Sequence, residues 1–145
     1  MVKNKQLEFV NGGWVDNDEG CPNFDDIINN MMIGHEFIKK TFGVYPKIGW
    51  NVDTFGHSDA NTRLLAQMGF EALFFSRLDQ AEKNERAKKR SLNFLWRPSS
   101  SNFGNQYQVL TNVFIDDYCH PKGFLVGDNY ATGDYIETDK TLTSY

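Results

Sequence analysis

Asp53 has the densest chemistry around it of any residue in the chain. It lies in Ile48 to Ser58, I-G-W-N-V-D-T-F-G-H-S, where a short apolar strand leads one carboxylate into a turn carrying an aromatic ring, a glycine, an imidazole and a hydroxyl. Arg77 and Arg97 end later apolar runs, and the acidic loop from Asp16 to Glu19 follows Gly12-Gly13-Trp14. A carboxylate beside an aromatic wall and an arginine, with a metal as a further partner, suits acetal hydrolysis. The carboxylate can attack an anomeric carbon while a ring packs on a sugar face. The plainer alternative is that Asp53 is a turn former, because Asp at a strand end bonds readily to nearby backbone. Spacing alone leaves both open.

The elements that must position these groups are legible from periodicity. Leu7 to Val10 reads as a short strand ended by glycines. From Pro22 to Phe42, Phe24, Ile27, Ile28, Met31, Ile38 and Phe42 recur at steps of three and four, with Gly34 and His35 filling the gap, which predicts an amphipathic helix. Asn23 suits its N-cap, Asp25 and Asp26 its positive end, Lys39 and Lys40 the other end, and Gly43 its C′ position. His35 within it reads as a packing or surface residue. Lys47 to Asp53 is the next strand, and Ser58 caps a helix over residues 59–68. Phe70 to Ser76 is a near-continuous apolar strand of the kind buried on both faces of a parallel sheet.

Asp79 to Ser91 is a charged helix in which five basic residues between positions 82 and 90 face two glutamates. No aromatic residue interleaves them, so a solvated face fits better than a nucleic-acid patch. Phe94 to Trp96 is a further strand. The rhythm is that of an α/β domain with a parallel sheet. After Ser99 it fails: residues 99–108 form a Ser/Asn/Gly loop, Val109 to Ile115 is a short extended piece, and the remainder lacks helical periodicity. The sheet therefore reads as open at both ends. In parallel α/β folds ligands gather at the carboxyl ends of the strands, and Gly12 to Glu19, Asp53 to Ser58, Arg77 and Arg97 all fall at such ends. Within the acidic loop, Asp16 reads as a solvated turn residue, whereas Asp18 and Glu19 follow a glycine pair and a Trp where a strand should be ending.

With 145 residues, 40% hydrophobic and 14% aromatic, the chain can bury one sizeable core. A formal charge of −4 and a pI near 5.3 disfavour nucleic acid and anionic membrane surfaces as partners. No run approaches the ~18 apolar residues of a spanning helix, and residues 1–8 have no apolar signal-peptide core. Cys21 and Cys119 match neither a CxxC nor a paired Cys/His spacing, so they read as ordinary thiols, with a disulfide an open alternative.

Three blocks taken together carry a resemblance: N-G-G-W-V-D-N-D-E, W-N-V-D-T-F-G-H-S and A-Q-M-G-F-E-A-L-F-F-S-R-L-D. In that order and spacing they resemble the catalytic domain of glycoside hydrolase family 38, the class II α-mannosidases, and within it the lysosomal type. The match is strong over residues 1–98 and weaker over the loop-rich residues 99–145. The resemblance implies a retaining, zinc-dependent exo-α-mannosidase with a β/α-barrel-like N-terminal domain, of which this chain holds a part. It implies Asp53 as nucleophile and zinc ligand, Arg77 as the arginine that supports the nucleophile, Phe55 as a substrate-binding ring flanking the bound mannose, and Tyr118 as a substrate-binding tyrosine of the active site. His57 and Ser58 belong to the motif, and with Asp18 they are expected to support it from behind.

The chain departs from the family pattern at Thr54, where Pro is usual, and at Asn51, where His or Gln is usual. The family's His-x-Asp pair, its downstream His and its general-acid Asp have no clear counterpart, Asp128 being a poor match for the acid. The expectations are therefore a mannose-containing glycan as substrate, a lysosomal, vacuolar or secreted parent enzyme, and a fragment inactive alone. The alternative is a non-catalytic or degenerate fragment that binds carbohydrate or a partner, since exposed strand edges seek partners.

Overall fold

The computed structural model describes residues 1–116, 118 and 119. The amphipathic pattern gives helix α1, Phe24–Phe42, which buries Ile27, Met31, Gly34 and Ile38 at steps of four, three and four. Its end is closed by Gly43 at φ 79°, whose N–H donates to the Lys39 carbonyl. Phe24 and Phe42, placed on the apolar face by periodicity, are exposed instead. Gly34 decides the helix's position. A Cβ there would collide with the Gly12 carbonyl oxygen and lie 2.5 Å from the Gly13 carbonyl carbon, so the helix backbone rests directly on the glycine loop.

After α1 come strand β1 (Ile48–Asn51), helix α2 (Asp59–Gln67), strand β2 (Ala72–Phe75), helix α3 (Gln80–Lys88) and strand β3 (Asn93–Trp96). The short helix α4 (Ser100–Phe103) and strand β4 (Val109–Val113) complete the described elements. They form an α/β structure around a four-stranded sheet in the order β1-β2-β4-β3. β1 pairs parallel with β2, and β2 parallel with β4, so that Asn51, Phe75 and Val113 stand level at one edge. The core of Met31, Leu65, Phe70, Leu73, Phe75, Val109 and Val113 lies against one face of this sheet. On the opposite face Trp50, Phe74 and Phe114 pack ring against ring at 5.5–5.9 Å.

Further expectations need correction, the first being that residues 99–108, read as a loop, hold the short helix α4. The stretch from Leu7 to Val10 is not a strand; the neighbouring Asn11 instead meets β1, its N–H donating to the Ile48 carbonyl at 2.7 Å. Phe94 to Trp96 is a strand, but it runs antiparallel on the outside of β4, with Trp96 opposite Val109. Its half-exposed alternation suits an edge, whereas a doubly covered parallel strand is apolar throughout. The run after Val109 is more than an extended piece: β4 sits inside the sheet with Val109, Thr111 and Val113 buried.

Gly34→Ala tests the helix–loop contact. In an open helix the change is stabilising by up to about 1 kcal/mol, but overpacking against backbone costs roughly 2–3 kcal/mol, so the collision should win. Urea unfolding is expected to show a net loss of stability, with an unchanged or higher midpoint counting against the close approach.

Candidate active site

Parallel pairing places the loops after β1, β2 and β4 at one edge, and each loop delivers one polar group to the same point. Asp53 follows β1, Arg77 follows β2 and Tyr118 follows β4. Arg77 donates through Nε at 2.9 Å and Nη2 at 2.6 Å to a single oxygen, Asp53 Oδ1, and the Tyr118 hydroxyl donates to that same oxygen at 3.2 Å. The Asp53 carboxylate, first by hydrogen bonding and then by its charge, raises the guanidinium's affinity for its proton. Arg77 also lies over two rings, 5.7 Å from the centroid of Phe55 and 6.0 Å from that of Tyr118.

The ion pair is open to solvent, with 45% of the Arg77 side chain and 60% of the Asp53 side chain exposed. Exposed pairs contribute little to folding, so stability is a poor explanation for three converging loops. Phe55 also projects into solvent, with 73% of its surface exposed. A ring held open beside a carboxylate offers an apolar face to a ligand.

Behind this open group is a buried one. Glu19 Oε1 accepts from Asn51 Nδ2 at 2.7 Å and contacts His57 Nδ1 at 3.0 Å, while its Oε2 accepts from the Ser58 N–H at 2.7 Å. His57 Nε2 in turn donates to the Arg77 carbonyl at 2.9 Å. The Glu19 and His57 side chains are only 1% and 7% exposed, and the imidazole lies 4.0 Å, centroid to centroid, from Phe75. Ser58 also caps α2, its hydroxyl accepting from the N–H groups of Ala60 and Asn61.

Asp18 does something different from its neighbour. Its Oδ1 accepts from the Gly20 and Cys21 N–H groups at 2.7 and 2.5 Å, closing an exposed local turn. The shorter Asp side chain reaches only its own turn, and the longer Glu19 extends into the interior. Glu19 is thus the residue that reading by motif underused. The signal was present, since it shares the loop after the Gly-Gly-Trp run.

α3 ties the Arg77 loop from the other side. Its N-cap Asp79 accepts from Ala81 and Glu82 N–H, and buried Lys83 donates to the Ser76 carbonyl at 3.2 Å. Arg86 and Lys89 pair with Glu82 and Glu85 along the same helix, as a solvated charged face would. Arg97 lies at the carboxyl end of β3, and the antiparallel direction of β3 puts that end beside the start of β4. His35 donates to the Asn11 carbonyl at 2.9 Å and packs on Phe70. Both cysteines are free thiols. Asp128 lies outside the described residues. Among the described residues no three His, Cys, Asp or Glu side chains converge as a metal site, and no helix is long and apolar enough to cross a membrane.

The family model for the glycosyl hydrolases family 38 N-terminal domain matches residues 1–145. The chain belongs to that family. Its family 38 relatives include the lysosomal α-mannosidase of Dictyostelium discoideum, 42% identical over 98% of this chain and 14% of the relative. An α-mannosidase of Arabidopsis thaliana is 39% identical over 100% of the chain and 14% of its own length, and the lysosomal α-mannosidase of Cavia porcellus is 39% identical over 85% and 12%. The chain therefore spans about 14% of the longest-matched of these family 38 enzymes.

The Asp18 turn provides a chemical test of the loop. Backbone donation from Cys21, then from Gly20, holds the Asp18 carboxyl below its usual range, and the hydrogen bond and charge of Asp18 push the Cys21 thiol up. A raised thiol has less reactive thiolate at neutral pH. In a Cys119→Ser background, Asp18→Asn should therefore speed iodoacetamide alkylation of Cys21 several-fold at pH 7.5. An unchanged or slower rate would contradict the turn.

Proposed function

We propose that this chain carries the nucleophile of a retaining exo-α-mannosidase, and that the nucleophile is Asp53. The observation that carries the reading is the convergence of Arg77 and Tyr118 on Asp53 Oδ1 from three adjacent parallel strands. The family membership sets the reaction class, and the relatives' names point to α-mannosides as substrate. A terminal α-mannose on a glycoprotein glycan or oligosaccharide is the substrate, and a lysosomal or vacuolar compartment fits the relatives called lysosomal.

In this reading Arg77 keeps Asp53 ionised and directs its carboxylate, while the Tyr118 hydroxyl takes up part of the charge on the same oxygen. The carboxylate attacks the anomeric carbon to form a glycosyl-enzyme ester, the leaving oxygen takes a proton from a general acid, and water then hydrolyses the ester. Phe55 is positioned to lie against one face of the mannose ring. By the family resemblance no residue of this chain, Asp128 included, is a good match for the general acid, so residues 1–145 alone should show no turnover of an aryl α-mannoside.

Zinc is the metal the family resemblance implies, and Asp53 is its candidate ligand among the described residues. The described residues do not by themselves fit such an ion. A catalytic zinc takes three protein ligands, whereas His35 and His57 are both engaged elsewhere.

A chimera tests the assignment directly. This chain replaces the matching segment of the Dictyostelium discoideum enzyme, and aryl α-mannoside hydrolysis is compared with that of the Asp53→Asn form. Loss of a nucleophile should lower kcat by roughly a thousandfold or more. Retention of activity within about tenfold in a folded variant would remove Asp53 from that role, and turnover by residues 1–145 alone would remove the need for an outside acid.

A further inference from the structure

We infer that Glu19 is a positioning residue that sets the Asp53–Arg77 geometry from behind without touching either side chain. The inference rests on the reading of Asp53 as nucleophile for its functional meaning, though not for its geometry. Glu19's partners are arranged around Asp53 in sequence: Asn51 precedes it by two residues, and His57 and Ser58 follow it by four and five. One carboxylate therefore grips both ends of the turn that presents the nucleophile. Through His57, whose second nitrogen donates to the Arg77 carbonyl, the same carboxylate also reaches the neighbouring loop. The two loops that meet at the ion pair are fixed to each other beneath it.

A carboxylate placed in an interior is costly unless donors satisfy it. Here Asn51 Nδ2 and the Ser58 N–H donate to Glu19 and His57 Nδ1 lies 3.0 Å from its Oε1, and all three partners come from the segment around Asp53. If Glu19 merely filled space, an apolar side chain would serve and these donors would need no common acceptor. His57 Nε2 donates to the Arg77 carbonyl while Nδ1 lies against Glu19 Oε1, so both ring nitrogens are engaged. This makes His57 a rigid spacer of fixed orientation, with its ring also packed on Phe75.

The test reads the exchange rate of the Arg77 Nε–H in the 145-residue chain by NMR, because that proton is held by Asp53. Glu19→Gln keeps the side-chain shape but turns an NH2 group toward a donor. His57→Phe keeps the ring on Phe75 and cuts the link to the Arg77 carbonyl. In both, the strand amides should stay in place while the Arg77 Nε–H exchanges about tenfold faster or more, as the loss of a buried partner favours local opening.

Asp18→Asn, in the same loop, should leave that rate within about twofold. If Glu19→Gln does not fold, His57→Phe decides alone. Exchange unchanged in either folded variant, or raised equally by Asp18→Asn, would overturn the inference. Because hydrolysis is not the readout, a failed clamp and a failed nucleophile are separable: the first appears here, the second in the Asp53→Asn chimera.

Discussion

Parallel pairing of β1, β2 and β4 is the constraint on which the site depends. Parallel strands send their chains out at the same edge, and the level register of Asn51, Phe75 and Val113 leaves the three following loops similar distances to travel. A polar residue a few positions beyond each strand then arrives at a common point. An antiparallel neighbour cannot do this, and β3 shows why: it runs the other way, so its carboxyl end lies beside the start of β4 rather than beside Val113. The helices between the parallel strands serve the same end. α2 and α3 begin immediately after the Asp53 and Arg77 loops, and their caps, Ser58 and Asp79, fix where each loop must stop.

Two carboxylates near this edge have opposite physics. Asp53 is mostly exposed, and its pairing with Arg77 is screened by water, so the pair has little hold on the fold. Glu19 is almost wholly buried, and each donor it lost would leave a desolvated group costing about 1–3 kcal/mol. Chemistry on a soluble substrate needs the first environment, and precise placement needs the second. The structure separates them by one layer, the Asn51 and His57 side chains and the Ser58 N–H, which touch the buried acid while the same segment of backbone carries the exposed one.

The helices were legible in the sequence because their signals are local. Caps, charge at the ends and apolar steps of three and four all act within a few residues, and α1, α2 and α3 follow them, although Asn23 at the start of α1 makes no side-chain capping bond. Strand direction was not legible. Asn93 to Trp96 carries β propensity whichever way it runs, and the chain's return through Val109 to Val113 between β2 and β3 is a long-range pairing that leaves no local mark. The site divided along the same line. Asp53, Arg77, Phe55 and Tyr118 were named on motifs and the structure gathers them, whereas the roles of Asp18 and Glu19 depend on which side chain can reach the interior. That depends on the turn made by the Gly20 and Cys21 amides, a feature of three dimensions.

The position of Asn51 shows how closely the buried layer is matched to its acid. It gives one amide proton to Glu19 while its own Oδ1 has no partner among the described residues. A buried carbonyl without a donor is a real cost, so the side chain is retained for its donor and not for its fit as a whole. Asn51 is also the last paired residue of β1, level with Phe75. Its side chain therefore points inward from a rigid strand, two residues before the chain turns out to Asp53. The strand sets where Glu19 must sit, and Glu19 then sets where the turn can go, so the order of causation runs from sheet to buried acid to exposed acid.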